Sequence, residues 1–205
     1  QRAVETGVKL VITVDCGSRN HEVIEELGEK KIDVIVTDHH ECGETLPRAV
    51  AVVNPKRRDV VEDDRMKELR ELCGAGVAFK VAQACMEEGM LPVGQEKWLL
   101  DLVLIGTICD SMVIRGENRR LCYYGVKVLE KTRRAGLKEL MRVAGVKKLG
   151  SGAIGFQIGP RLNAAGRMET AEKALGLLMA KTRMTATSLA LELESLNSQR
   201  KDQQN

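Results

Sequence analysis

Val8-Lys9-Leu10-Val11-Ile12-Thr13-Val14 and, further on, Ile32-Asp33-Val34-Ile35-Val36-Thr37 are the segments that decide the fold. Both are short, apolar and rich in β-branched residues, the pattern of strands buried on both faces of a parallel sheet. Between them Ser18 to Leu27 reads as a helix. Ser18 stands where an N-cap is expected, and Val23, Ile24 and Leu27 form an apolar stripe. Strand, helix and strand together make a βαβ unit of about 30 residues with a right-handed crossover. A third apolar run, Val50-Ala51-Val52-Val53, extends the sheet. The expected fold class is α/β, a parallel sheet with flanking helices, followed by a mainly helical part.

The helical part begins near Arg65. Gly74-Ala75-Gly76 opens a helix that reaches Met86, and the apolar run Trp98 to Ile105 reads as a core helix. Leu121, Tyr124, Val128 and Leu129 line the face of the next. Leu137 to Ala144 and Ala171 to Met179 give two more. From Thr185 onward Ala186, Leu189, Leu193 and Leu196 form a narrow stripe, after which Ser198 to Asn205 is wholly polar.

Composition narrows the class. With 43% hydrophobic and 30% charged residues, the chain is that of a soluble globular protein. Aromatic content of 2% leaves few rings for stacking on nucleobases, and a net charge of +3 is modest for a dedicated nucleic-acid module. The six cysteines include no CxxC pair, so they read as reduced thiols of a cytoplasmic protein. Cys42 lies near His39 and His40, but no second cysteine pair completes a tetrahedral zinc set. No membrane-spanning or signal segment is visible.

The strands also decide where chemistry gathers. Parallel neighbours open their C-terminal ends on one sheet edge, where ligands bind in open α/β folds. Asp15 follows the first strand. Asp38 follows the second, with His39, His40 and Glu41 behind it. A lone Asp at a strand end usually caps a helix or forms a turn, and a lone His is usually structural. Here two of the three histidines stand side by side between acids. Mixed imidazole and carboxylate ligands suit Mn²⁺, Zn²⁺ or Fe²⁺ better than Ca²⁺. Asp110 emerges from the apolar run Leu102 to Thr107, where a carboxylate is costly unless paired, hydrogen-bonded or metal-bound. A helix cap or loop position is the simpler alternative for it.

Val14-Asp15-Cys16-Gly17, Thr37-Asp38-His39-His40, Gly106-Thr107-Ile108-Cys109-Asp110 and the ten residues Ile158 to Arg167 (IGPRLNAAGR) resemble, in order, the motifs of the DHH phosphoesterases. Cys73 to Lys80, Gly116 to Arg119 and Leu196 to Lys201 are similar to the branch of that family that digests single-stranded DNA. The resemblance implies a centre of two Mn²⁺ or Mg²⁺ ions that activates water for attack on phosphorus. It makes Asp15 the bridge between the ions, with His39 and Asp110 completing one ion's shell. Asp38 orients the cluster, and His40 contacts the scissile phosphate. Arg161, Asn163 and Arg167 hold substrate phosphate, and Arg119 is a weaker candidate for a salt bridge or a DNA-backbone contact.

The resemblance further implies a 5′ to 3′ exonuclease on single-stranded DNA, acting in repair and recombination alongside other repair proteins. The alternatives are a DHH phosphoesterase for oligonucleotides, cyclic dinucleotides or pyrophosphate, and a non-catalytic DHH scaffold. The family's first motif, an Asp-rich strand end, has no counterpart before Asp15. The expectation is therefore a partial DHH catalytic domain over residues 1–182 and, over 183–205, the start of a connecting helix to a further domain. Such a piece is expected to bind metal poorly and to have little nuclease activity by itself.

Overall fold

The computed structural model describes residues 2–60, 63–168 and 170–203. The chain forms two compact units, Gln1–Tyr123 and Tyr124–Asn205. The first contains helix α1 (Arg2–Glu5), strand β1 (Leu10–Val14), α2 (His21–Glu29), β2 (Asp33–Thr37), β3 (Ala51–Val53), α3 (Asp64–Leu69), α4 (Gly74–Glu87) and α5 (Leu100–Cys109). The division falls within α6 (Gly116–Glu130). The second unit continues with α7 (Ala135–Val143), α8 (Ser151–Ala153), a π-helical turn (Ile154–Ile158), α9 (Gly159–Met168), α10 (Glu172–Met179) and α11 (Arg183–Asp202).

The sheet has the order β1-β2-β3 and is parallel throughout. Leu10 pairs with Asp33 and Val14 with Thr37, so β1 and β2 end level with each other. Ile24 of α2 packs with Val34, Val36 and Val52, and Val11, Leu27, Leu46 and Ala49 close the cluster. Burying each of these branched side chains contributes roughly 1.5–3 kcal/mol.

Two local expectations are corrected. β1 is not buried on both faces: Leu10, Ile12 and Val14 are 46%, 54% and 54% exposed. β1 is an edge strand among the described residues, and only the face that carries Val11 belongs to the packed cluster. Nor does Ser18 cap α2, whose N-cap is Asn20. The Ser18 hydroxyl is turned instead toward Asn54.

In the second unit α11 packs against α7 and α9. Its buried side is Ala186, Ala190, Leu193, Leu196 and Asn197, spaced as one helical face. Thr182 caps this helix by accepting from the Thr185 amide at 3.2 Å. Glu139 of α7, 5% exposed, accepts from Arg142 at 2.7 Å, Arg183 at 2.8 Å and Thr187 at 3.1 Å. These bonds hold its carboxyl below the usual range.

Candidate metal centre

The sheet register delivers two carboxylates to one edge. One residue beyond β1 the Asp15 amide donates to the Thr37 carbonyl at 2.9 Å. One residue beyond β2 the Asp38 amide donates to Val53 at 3.1 Å. Asp15 then turns sharply, with a left-handed φ of 64°. The Thr13 hydroxyl donates to the Cys16 carbonyl at 2.7 Å across the turn. Gly17 completes it at φ 115°, where a side chain would lie 2.8 Å from Thr13 Oγ1 and 3.0 Å from Val36 Cγ1.

Asp38 is 2% exposed and acts as the hub of the second strand end. Its Oδ1 accepts from the His39 amide at 2.8 Å, the His40 amide at 3.2 Å and His40 Nδ1 at 2.7 Å. Its Oδ2 accepts from the Ser18 amide at 3.0 Å. Burial pushes this carboxyl up, but the bonds from Ser18 and His40 outweigh burial and hold it well below the usual carboxylate range. The bond also assigns the His40 ring proton to Nδ1 and leaves Nε2 as the ring's other functional nitrogen.

His39 is 6% exposed. Its Nε2 lies 3.0 Å from Asp15 Oδ1 and 3.5 Å from Asp110 Oδ2. Asp110 reaches this position as the C-terminal cap of α5. Ligand atoms of Asp15, His39 and His40 lie within 4.8 Å of one another. One imidazole nitrogen facing two carboxylates suits a shared cation, and His39 Nδ1 is buried without a partner. The donor set therefore fits a divalent metal of the imidazole-carboxylate type. Cys42 is not in this group, and burial raises its thiol pKa. A cleft of about 480 Å³ runs past Asp15, Cys16, Arg19, His40 and Glu41.

Asn54 is a site residue that sequence reasoning missed. It is 4% exposed, and its Nδ2 donates to Ser18 Oγ at 2.8 Å and to the His40 carbonyl at 2.9 Å. A signal was present, since Asn54 follows the third strand as Asp15 and Asp38 follow the first two.

Of the substrate-contacting candidates, His40 lies at the strand edge of the first unit, and Arg161, Asn163 and Arg167 lie in the second. Residues 159–168 are helical. Arg161, with its side chain 11% exposed, is paired with Glu194 and donates to the Gln157 carbonyl at 2.7 Å. Asn163 and Arg167 are not buried on α9, and Arg119 is exposed on α6.

Comparison with known proteins gives a family match and several similar chains. Residues 1–107 match the DHH family, N-terminal domain. The single-stranded-DNA-specific exonuclease RecJ of Bacillus subtilis (strain 168) is 43% identical over 201 residues, covering 96% of this chain and 24% of that protein. A crystal structure of exonuclease RecJ bound to manganese superposes with a TM-score of 0.85 at 36% identity, over 98% of this chain and 50% of that one. RecJ from Thermus thermophilus in complex with Mg²⁺ gives 0.71 at 32% identity, over 95% and 26%. The chain thus spans about a quarter of the Bacillus protein's length.

Proposed function

The chain belongs to the DHH family, and on that footing we propose that it is part of a cytoplasmic exonuclease that hydrolyses single-stranded DNA from the 5′ end with Mn²⁺ or Mg²⁺, in repair and recombination. The carrying observation is the convergence of Asp15, Asp110 and His39 Nε2 beside a buried Asp38. Six free cysteines suit a reducing compartment, and no helix among the described residues is long and apolar enough to cross a membrane.

Asp15, His39 and Asp110 would hold the metal. Bound metal supplies a water of lowered pKa and neutralises charge on the phosphate. The protein's own residues do the positioning. Asp38 fixes the His40 ring through Nδ1, so that Nε2 can meet a phosphate oxygen. Asn54 anchors the His40 backbone through its carbonyl. Arg161, Asn163 and Arg167 serve the substrate phosphates, Arg through its planar fork of donors.

The test is a substrate panel on the full-length protein with Mn²⁺: 5′-phosphorylated single strands, a cyclic dinucleotide, short oligonucleotides and pyrophosphate. Stepwise release of nucleotides from the 5′ end of single strands is expected. Turnover confined to dinucleotides or pyrophosphate would overturn the reading.

A further inference from the structure

Asp15 has a neighbour that neither the strand-end argument nor the metal reading uses. The first residue of α4 is Gly74, which is buried. A Cβ at Gly74 would stand 2.2 Å from Asp15 Oδ1, 2.5 Å from Cγ and 2.6 Å from Cβ. All three distances are far inside van der Waals contact, and all three atoms belong to the one side chain. The bare Cα of Gly74 therefore forms the wall against which the Asp15 carboxylate rests.

The Asp15 carboxylate is more than half exposed, but the Asp15 Cβ, which a Cβ at Gly74 would also meet, cannot yield unless the backbone moves. Its backbone is at φ 64°, its amide is tied to Thr37, and the next carbonyl is tied to Thr13. The start of α4 is equally fixed. Cys73 Sγ accepts from the Gly76 amide at 3.4 Å and lies 3.6 Å from Thr107 Oγ1. On the side of α5, a Cβ at Gly106 would meet Ala75 Cβ at 2.8 Å. Two elements thus close on Asp15, one strained turn and one helix start.

We propose that Gly74 is a positioning residue, whose missing side chain sets the orientation of the Asp15 carboxylate toward His39 and hence toward a divalent cation. This rests on the reading of Asp15 as a metal ligand. Any side chain at 74 displaces the carboxylate from the His39 edge. The coupling is mutual: removing the Asp15 side chain frees the space that a residue at 74 needs.

The test is a double-mutant cycle in the full-length protein, read by Mn²⁺ titration followed by electron paramagnetic resonance and by the unfolding midpoint of the metal-free protein. Gly74→Ala is expected to weaken Mn²⁺ binding by about 10- to 100-fold, the range for residues that orient a ligand, and to lower the midpoint. In an Asp15→Gly background, the same substitution is expected to change neither quantity further. Asp15→Gly alone is expected to abolish tight binding while raising the metal-free midpoint, because glycine accepts a left-handed φ without strain. If Gly74→Ala lowers the midpoint equally in both backgrounds, or leaves Mn²⁺ affinity at the wild-type value, the positioning role is overturned. If Asp15→Gly itself leaves Mn²⁺ affinity unchanged, the metal-ligand reading fails instead. Should Gly74→Ala not fold alone, its recovery of folding in the Asp15→Gly background is the supporting result, and failure there too is the refuting one.

Discussion

The strand-end motif Asp38-His39-His40 and the helical motif Gly159 to Arg167 use their residues in opposite ways. At the strand end three consecutive residues have three different environments. Asp38 is buried as an acceptor, His39 faces two carboxylates, and His40 lines the cleft with its Nδ1 held. Along α9 the longer motif is divided between faces. Ala164 and Ala165 are wholly buried, Arg161 is tied to Glu194, and Asn163 and Arg167 stand outside the core. A short motif can be almost all chemistry, whereas a long one mixes chemistry with the small residues that let α9 lie close to α11.

The sharpest way to break this contrast is Asp38→Asn. An amide cannot accept at both oxygens from Ser18, His39 and His40. Exonuclease activity of the full-length protein is expected to fall by about 10- to 100-fold, with binding of single-stranded DNA in the absence of metal retained. On α9 the same comparison predicts a split. Ala165→Leu enlarges a side chain at a wholly buried position and is expected to cost about 1–3 kcal/mol, measured by denaturant unfolding. Arg167→Ala is expected to change stability by less than about 0.5 kcal/mol while raising KM for single-stranded DNA.

A pH-dependent effect concerns Glu117, away from both motifs. Burial pushes its carboxyl up, but Lys80 and Arg120, the latter at 2.8 Å, outweigh burial and bring it below its ordinary 4.5. A depressed carboxyl contributes stability above its unfolded value and loses it as pH falls through the folded one. Glu117→Gln is therefore expected to lower stability by at most about 1 kcal/mol at pH 7. The difference should shrink as pH drops below 4.5. Thermal melts at several pH values check the trend.

Much of this arrangement was legible in the sequence. Two β-branched runs with a helix between them require a parallel pair, and a parallel pair places Asp15 and Asp38 on one edge. What could not be read is how the edge is held. Ser18, Asn54 and Gly74 act through contacts between residues far apart in sequence, and no periodicity reports such contacts. The exposed face of β1 was missed for a related reason. An apolar run says that a strand can be buried, not which of its faces has a neighbour. Gly159-Pro160 resembles a loop signal, yet Pro160 lies inside an uninterrupted helical run, directly after the π-helical turn. A π-helical turn is an irregularity in the hydrogen-bond ladder, which is where a residue lacking an amide hydrogen can be taken into a helix.

That exposed face of β1 governs how residues 1–205 behave in isolation. β1 hydrogen-bonds to β2 alone among the described residues, so its other rim presents unpaired amides and carbonyls. Beside that rim lie Leu10, Ile12 and Val14, all open to water. An unprotected rim next to an apolar surface is a template for strand addition between copies. Lys9 and Asp15 are the charges that flank the strand in sequence. The strand that delivers Asp15 is thus also the one at which added charge is expected to limit strand addition between copies.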